Sequence, residues 1–148
     1  KGLGGGLPIG AALSKEHASV LRPGDHGSTF SGNPLVCAGA RVVLDRVASP
    51  GFLDDVRAKG LMVIESLRRL SADTGRIHDV RGVGLLVGFD LTSAALADAV
   101  IGHARDHGLL LIKAGAATLR IVPALTIGMA ELEQGLGILE AAVREAED

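Results

Sequence analysis

The spacing of apolar and polar residues predicts two helices in the middle of the chain. Asn33-Pro34 suits a helix start, with asparagine as the N-cap and proline at the first helical position, and apolar residues continue this helix to Ser49-Pro50-Gly51. A second helix is predicted from Phe52 to Leu70, closed by Gly75. The apolar stripe predicted to be buried on this second helix consists of Leu53, Val56, Leu61, Ile64 and Leu67.

The second half of the chain predicts strands and helices in regular order. Strands are predicted at residues 77–80 and 85–91, with R-G-V-G between them as a hairpin turn or bulge. A helix follows over 94–107, with Ser93 as its N-cap and Gly108 at its end. Short buried strands at 109–112 and 119–122 and an amphipathic helix at 129–146 complete the pattern. This order predicts an α/β layer with a small mixed or antiparallel sheet.

The segment before residue 33 has a weaker pattern. Residues 2–12 are predicted to form a glycine-rich turn that continues into a short apolar strand. Residues 14–21 are predicted to form a short helix with Ser14 as its N-cap. The run R-P-G-D-H-G-S-T-F-S-G after it is predicted to be a polar loop.

Composition narrows the class of protein. The chain has 148 residues, of which 47% are hydrophobic and 22% charged, a globular balance. A net charge of −2, no basic block and only 2% aromatic residues argue against nucleic acid or an anionic membrane as a partner. Cys37 is the only cysteine, so no disulfide framework is predicted, and we expect it to be a small core residue. No apolar stretch is long enough to span a membrane.

The chain opens with K-G-L-G-G-G-L, in which Lys1 is followed by several glycines. A bulky planar ligand could approach such a lysine closely, because several neighbouring residues have no side chains. This arrangement suits covalent amine chemistry with an aldehyde cofactor. The alternative is a flexible glycine segment around a surface lysine.

The loop H-G-S-T-F-S-G-N-P carries three hydroxyl groups just before a predicted helix start. Free N–H groups and hydroxyls at a helix N-terminus can bind a phosphate or carboxylate. The alternative is an ordinary capping loop whose hydroxyls bind its own backbone.

Arg120 stands alone on one face of the predicted strand T-L-R-I-V, opposite Leu119 and Ile121. An arginine among apolar strand residues suits a carboxylate, which its planar fork can bind through two hydrogen bonds. The alternative is an edge strand from which the arginine reaches solvent.

Other motifs give no further site. His103 and His107 are one helical turn apart, but no third ligand is evident, so we expect no metal site. The glycine-rich opening fails the dinucleotide-binding pattern because Leu7 stands where its third glycine belongs. It also lacks the Gly-Lys-Ser/Thr of a phosphate-binding P-loop.

Four motifs taken together resemble a known family. K-G-L-G-G-G-L-P-I-G-A, H-G-S-T-F-S-G-N-P-L-V-C-A, R-G-V-G-L-L-V-G-F and L-R-I-V-P-A-L-T-I, in that order, resemble the C-terminal half of a class III (ornithine-type) aminotransferase. The H-G-S-T-F detail most resembles the branch that acts on N-acetylornithine. The family often has a second proline where Ala124 stands here.

The resemblance implies roles for four residues. Lys1 corresponds to the lysine that forms a Schiff base with pyridoxal 5′-phosphate. Thr29 corresponds to a threonine that contacts the cofactor phosphate across a dimer interface, and Ser28 to a serine near the acyl-ornithine substrate. Arg120 corresponds to the arginine that holds the α-carboxylate of the glutamate/2-oxoglutarate pair. The other cofactor contacts belong, by resemblance, to the N-terminal half of the family.

The resemblance also implies architecture and activity. Residues 1–50 are expected to end the large domain of a fold type I pyridoxal-phosphate enzyme, and residues 51–148 to form its small C-terminal α/β domain. The expected activity is transfer of the terminal amino group of N-acetylornithine to 2-oxoglutarate in arginine biosynthesis, by a cytoplasmic homodimer. Ornithine, succinylornithine and 4-aminobutyrate remain alternative donors. A truncated piece that serves only folding and dimer contact is the non-enzymatic alternative, and this stretch alone is expected to be inactive.

Overall fold

The computed structural model describes residues 1–147 and contains four helices, four strands and a short 3₁₀ helix at Glu16–Ala18. The chain divides into two compact units, Lys1–Leu53 and the part from Asp54 onwards. The elements are α1 (Pro34–Val47), α2 (Phe52–Thr74), β1 (Ile77–Val83), β2 (Leu86–Leu91), α3 (Ala94–Asp106), β3 (Ile112–Lys113), β4 (Thr118–Ile121) and α4 (Met129–Glu145). No helix within residues 1–147 is both long and apolar enough to cross a membrane.

The first unit consists of a glycine turn, a long loop and α1. The strand predicted after the turn is wrong: within residues 1–147, residues 8–14 make no backbone–backbone hydrogen bond and pair with no strand. The helix predicted over 14–21 shortens to the 3₁₀ helix, whose N-cap residue is Lys15 rather than Ser14. Cys37 is half-buried rather than part of a core. Gly4 and Ala40 are the buried residues of this unit.

The predicted start of α1 is confirmed. The Asn33 side chain accepts hydrogen bonds from the backbone N–H groups of Leu35 (3.0 Å) and Val36 (3.3 Å), and Pro34 occupies the first helical position. The side chain thereby satisfies two of the N–H groups that a helix leaves unpaired at its N-terminus.

The second unit is built on an antiparallel sheet with the strand order β1-β2-β4-β3. The predicted hairpin is confirmed, but β1 continues past Val80 to Val83, and the register shifts between His78 and Arg81. Asp79 lies in this irregularity with a φ of 46°, which is uncommon for a residue other than glycine. The first of the two predicted short strands is displaced, because β3 begins only at Ile112.

One face of the sheet forms the core with α2, α3 and α4. Its fully or almost fully buried side chains are Ile77, Val87, Phe89, Leu91 and Leu119. The helices contribute Val56, Val63, Leu67, Leu70, Leu96, Val100, Leu132, Leu139 and Val143. The sheet is therefore packed on one side, as the alternation of apolar and polar residues predicts for an antiparallel sheet.

The buried face of α2 differs from the predicted stripe. Leu53 and Leu61 are exposed, by 41% and 60%, whereas the stripe includes Lys59 and Gly60. The Lys59 ammonium donates to the Asp55 carboxylate at 2.5 Å and to the carbonyl of Ile127 at 2.8 Å. A buried lysine with these partners is stable because both hydrogen bonds replace those it would make with water.

Gly60 is essential for the packing of α2, because its Cα faces the backbone of the β1–β2 turn. A side chain there would collide with the carbonyl group and Cα of Gly84. We expect Gly60→Ala to lower the free energy of unfolding, because forced overpacking costs about 1–3 kcal/mol. That cost exceeds the gain in helix propensity of at most about 1 kcal/mol. Chemical denaturation of the same polypeptide measures the difference.

Gly102→Ala in α3 is the matched control. A Cβ at Gly102 would meet no atom within 4 Å, so alanine there should raise stability by about 0.5–1 kcal/mol. A Gly60→Ala protein as stable as the wild type would contradict the role given to the close backbone approach.

Candidate active site

Lys1 begins a turn whose conformation requires glycine. The N–H of Gly5 donates to the carbonyl of Gly2 and the N–H of Leu7 donates to that of Gly4, each at 3.1 Å. Gly5 has a φ of 58°, in the left-handed region that glycine adopts without steric cost. The turn therefore leads the chain sharply away from the lysine.

The glycine turn that follows Lys1 packs on α1. A Cβ at Gly39 would collide with the side chain of Leu7, and one at Gly5 would lie 3.2 Å from Cγ2 of Val43. The Lys1 side chain is exposed and, within residues 1–147, its amine has no hydrogen bond or ion pair. The amine of Lys1 is therefore unpaired and available for covalent chemistry.

Ser28 and Thr29 lie in the exposed loop that leads into α1. The Ser31 hydroxyl donates to the Ser28 carbonyl at 3.3 Å, so one of the three loop hydroxyls binds the backbone of the loop itself. The Thr29 hydroxyl makes no hydrogen bond within the described chain. Because Asn33 already caps α1, Thr29 is a hydroxyl left available for an external acceptor.

Arg120 lies on the sheet face opposite the core. In the register of the sheet it is directly across from Gly88 on β2 and from Ile112 on β3, and Arg81 on β1 is across from Gly88. Residues directly opposite each other in antiparallel strands point to the same face. We call this line of four residues, Arg81–Gly88–Arg120–Ile112, the arginine row.

Arg81 is held by two carboxylates. Its guanidinium donates to the carbonyl and the carboxylate of Asp79, both at 2.8 Å, and to the Asp90 carboxylate at 3.2 Å. The Thr118 hydroxyl donates to the same Asp90 oxygen at 2.6 Å. The hydrogen bond from Thr118, followed by that from Arg81, holds the pKa of Asp90 below its usual range. The hydrogen bond to Asp90 also raises the pKa of Arg81.

Arg120 differs from Arg81 in having no such partner. It is exposed, and within residues 1–147 its guanidinium makes no hydrogen bond or ion pair. It borders a cleft of about 150 Å³ whose other walls include Ile112, Val122 and Leu136. Among the described residues, the one acidic residue of these walls, Glu131, accepts a hydrogen bond from the backbone N–H of Gly128 and none from Arg120, so a planar anion is a ligand that suits the free guanidinium.

His103 in α3 and His107, the C-cap residue of this helix, stack on each other with their ring centroids 4.4 Å apart. His103 Nε2 lies 3.5 Å from a carboxylate oxygen of Glu145. Within residues 1–147 no group of three or more histidine, cysteine or acidic side chains could hold a metal ion.

The predicted site residues fall into both units. Lys1, Ser28 and Thr29 belong to the first and Arg120 to the second. Within the first unit no hydrogen bond joins Lys1 to either hydroxyl residue. Sequence reasoning missed the surroundings of Arg120, namely Arg81, Gly88, Asp90 and Thr118. Alternation along R-G-V-G-L-L-V-G-F-D places Gly88 and Asp90 on one face, but only the strand register shows which residues lie beside Arg120.

Comparison with known proteins identifies the family of this chain. The family model for class III aminotransferases matches residues 1–143. The chain belongs to the class III aminotransferases. It is 46% identical over 146 residues to the mitochondrial acetylornithine aminotransferase of Eremothecium gossypii, covering 98% of this chain and 34% of that protein. It is 42% identical over 146 residues to the acetylornithine aminotransferase of Listeria innocua, covering 98% of this chain and 38% of that one.

Solved structures agree with the sequence relatives. The acetylornithine aminotransferase of Elizabethkingia anophelis superposes with a TM-score of 0.77 at 30% identity, over 84% of this chain and 33% of that one. The N-acetylornithine aminotransferase of Stenotrophomonas maltophilia superposes with a TM-score of 0.70 at 37% identity, over 76% and 32%. The α/β fold with a small antiparallel sheet is thus part of the class III aminotransferase fold. The chain spans about a third of the length of the relatives it matches.

Proposed function

We propose that this chain is the C-terminal part of an aminotransferase that moves the terminal amino group of N-acetylornithine to 2-oxoglutarate, forming glutamate for arginine biosynthesis. The observation that carries the proposal is the unpaired guanidinium of Arg120 on a sheet face where the neighbouring Arg81 is already bound by Asp79 and Asp90. Its fork suits the carboxylate that every 2-oxo acid acceptor has. The names of the relatives support the choice of donor.

The residues of the first unit fit pyridoxal phosphate as the cofactor. The Lys1 amine is unpaired, and the backbone beside it is open, because a Cβ at Gly2 would meet no atom within 4 Å. The Thr29 hydroxyl is free to donate to a phosphate oxygen. When bound, this cofactor supplies an electron sink that makes the proton on the substrate carbon removable.

The proposed site residues divide proton transfer and substrate binding between them. The Lys1 amine takes the proton from the substrate carbon that carries the amino group, and in the reverse half-reaction it returns a proton to the carbon of the new product. Arg120 binds the α-carboxylate of glutamate or 2-oxoglutarate through its planar fork. Ser28 lies near the acyl-ornithine donor.

Other amine donors are the second candidate. A relative from Yersinia pestis, 37% identical, is named acetylornithine/succinyldiaminopimelate aminotransferase. The ornithine aminotransferase of Toxoplasma gondii superposes with a TM-score of 0.76 at 29% identity. Relatives of this chain are thus named for different donors, and ornithine, succinylornithine and 4-aminobutyrate are kept as alternative donors.

A donor panel tests the proposal. The full-length polypeptide that carries this chain is mixed with each candidate donor, and loss of the bound cofactor absorbance is followed in a single turnover. We expect kcat/KM to be highest with N-acetylornithine. Faster reaction with another donor would assign the enzyme to that substrate, and no reaction with any would favour a role in folding and dimer contact alone.

We also propose that the active site forms at the interface of a cytoplasmic homodimer, with residues 1–50 ending the large domain and 51–148 forming the small one. Exposed apolar residues of the first unit support a further contact surface: Leu13, Val20, Leu21, Phe30 and Leu35 are each more than 60% exposed. We expect the dimer to bury these side chains, since contiguous exposed apolar surface marks protein interaction sites. The stretch alone is expected to be inactive.

Thr29 is expected to bind the cofactor phosphate of the partner subunit. Thr29→Val keeps the shape of the side chain but removes the donor, so cofactor affinity should fall by about 1.5–3 kcal/mol, the range for a hydrogen bond to a charged group. Cofactor titration of the dimer measures the loss. Thr92→Val, in the other unit, is the control, and equal affinities of Thr29→Val and wild type would contradict the assignment.

A further inference from the structure

Gly88 is the one position of the arginine row that bears no side chain. Gly88 lies between Arg81 and Arg120, directly across the strand pairs from both. Because Gly88 has no side chain, the space between Arg81 and Arg120 on this sheet face is open. On the other side of Arg120 the neighbour is the apolar residue Ile112.

The fold itself does not require glycine at position 88. A Cβ there would lie 3.8 Å from its nearest neighbour, the carbonyl oxygen of Leu119, which is ordinary van der Waals contact. Gly82 in the adjacent strand is different, because its φ is 153° and its Cβ would collide with the backbone of Leu86 and Val87. Glycine weakens a strand interior unless a bulge or a closely approaching ligand accounts for it.

The guanidinium of Arg81 is already paired and is not available to a ligand at this face. Asp79 and Asp90 already accept hydrogen bonds from its guanidinium, and Thr118 fixes Asp90 from the other strand. A carboxylate that arrives over Gly88 therefore meets one available guanidinium, that of Arg120. The one positive and two negative charges of the Arg81 cluster leave a net charge of −1, so the attraction for a carboxylate at this face comes from Arg120.

We propose that Gly88 determines access to Arg120, because the missing side chain leaves the space through which the carboxylate of a dicarboxylic ligand reaches the guanidinium. The inference rests on the proposed function, since it deepens the role of Arg120 in acceptor binding. Gly88 is accordingly a specificity-determining position: a larger residue there would exclude the acceptor while the cofactor still binds.

Gly88→Val in the full-length holoenzyme tests the inference. The added branches occupy the space beside Arg120, so the KM for 2-oxoglutarate and the inhibition constant of glutarate, a dicarboxylate that cannot react, should each rise about tenfold or more. Both kcat at saturation and the cofactor spectrum should stay unchanged. Gly88→Ala should give a smaller rise in the same direction, and it replaces the valine variant if that one does not fold.

Two further variants show whether Gly88→Val blocks ligand access to Arg120 or disturbs the sheet in general. Leu86→Val, on the same strand and face but outside the row, should leave both constants unchanged. In an Arg120→Ala background, Gly88→Val should have little additional effect, because the guanidinium to which it blocks access is absent. Additive effects of the two changes would overturn the inference.

The outcomes also separate this inference from the proposed function. If Arg120→Ala weakens glutarate binding but folded Gly88→Val and Gly88→Ala proteins bind it normally, the role of Gly88 is wrong and the carboxylate site stands. If Arg120→Ala leaves glutarate binding unchanged, the carboxylate site is wrong and the role of Gly88 is wrong with it.

Discussion

Replacing Lys1 with alanine in the full-length enzyme is expected to abolish covalent attachment of the cofactor and nearly all transamination. The unpaired Lys1 amine is the group proposed to bind the cofactor aldehyde and to move the proton of the substrate carbon. Loss of proton transfer alone slows such reactions by about 10²–10⁴-fold, and loss of covalent activation adds to this. Single-turnover absorbance with N-acetylornithine measures the rate.

Lys15→Ala is the matched control for Lys1→Ala. Lys15 is an exposed lysine of the same unit whose ammonium has no partner within the described chain, so its removal should leave the spectrum and the rate unchanged. A small primary amine added to the Lys1→Ala enzyme should restore part of the rate if the missing function is proton transfer. Ordinary turnover by Lys1→Ala without added amine would contradict the catalytic role proposed for Lys1.

Helix ends could be predicted from the sequence because their signals are local. Asn33 and Ser93 cap α1 and α3 through side-chain oxygens, and Gly75 and Gly108 follow helices with positive φ. Each of these signals depends on a few neighbouring residues and on backbone sterics alone. The antiparallel hairpin was equally accessible, since alternation and an intervening glycine pair define it.

Features that depend on distant contacts could not be predicted. The buried face of α2 includes Lys59, whose partner Ile127 lies 68 residues further along the chain, so hydrophobicity alone selected the exposed Leu61 instead. The strand predicted after the glycine turn has the right composition, but no strand in the described part of the chain pairs with it. Burial and pairing are properties of the assembled fold, and a local pattern contains no information about them.

The candidate site shows the same division. Lys1 and Arg120 could be singled out because each is a charged residue in an unusual local setting. That Arg81 is neutralised whereas Arg120 is free depends on the register of three strands and on the irregularity at Asp79. The sequence alone shows two arginines and two aspartates, and it does not show which of them pair.

Replacing Arg120 with lysine is expected to distinguish transamination from cofactor binding alone. Arg120→Lys keeps the positive charge but loses the planar fork, so the apparent KM for 2-oxoglutarate should rise by about tenfold or more while the cofactor spectrum stays intact. The acyl-ornithine half-reaction should suffer less, since its carboxylate is expected to be held by other residues. One single-turnover measurement for each half-reaction gives the comparison.

Arg81→Lys provides the control for Arg120→Lys, because it makes the same chemical change on the same sheet face. Arg81 already binds Asp79 and Asp90, so its replacement should change neither half-reaction by more than about twofold, as expected for an exposed ion pair of small energy. Equal damage to both half-reactions by Arg120→Lys would refute a role confined to the glutamate pair. No damage to either would leave Arg120 as a surface residue, and the proposed acceptor site would have to lie elsewhere in the enzyme.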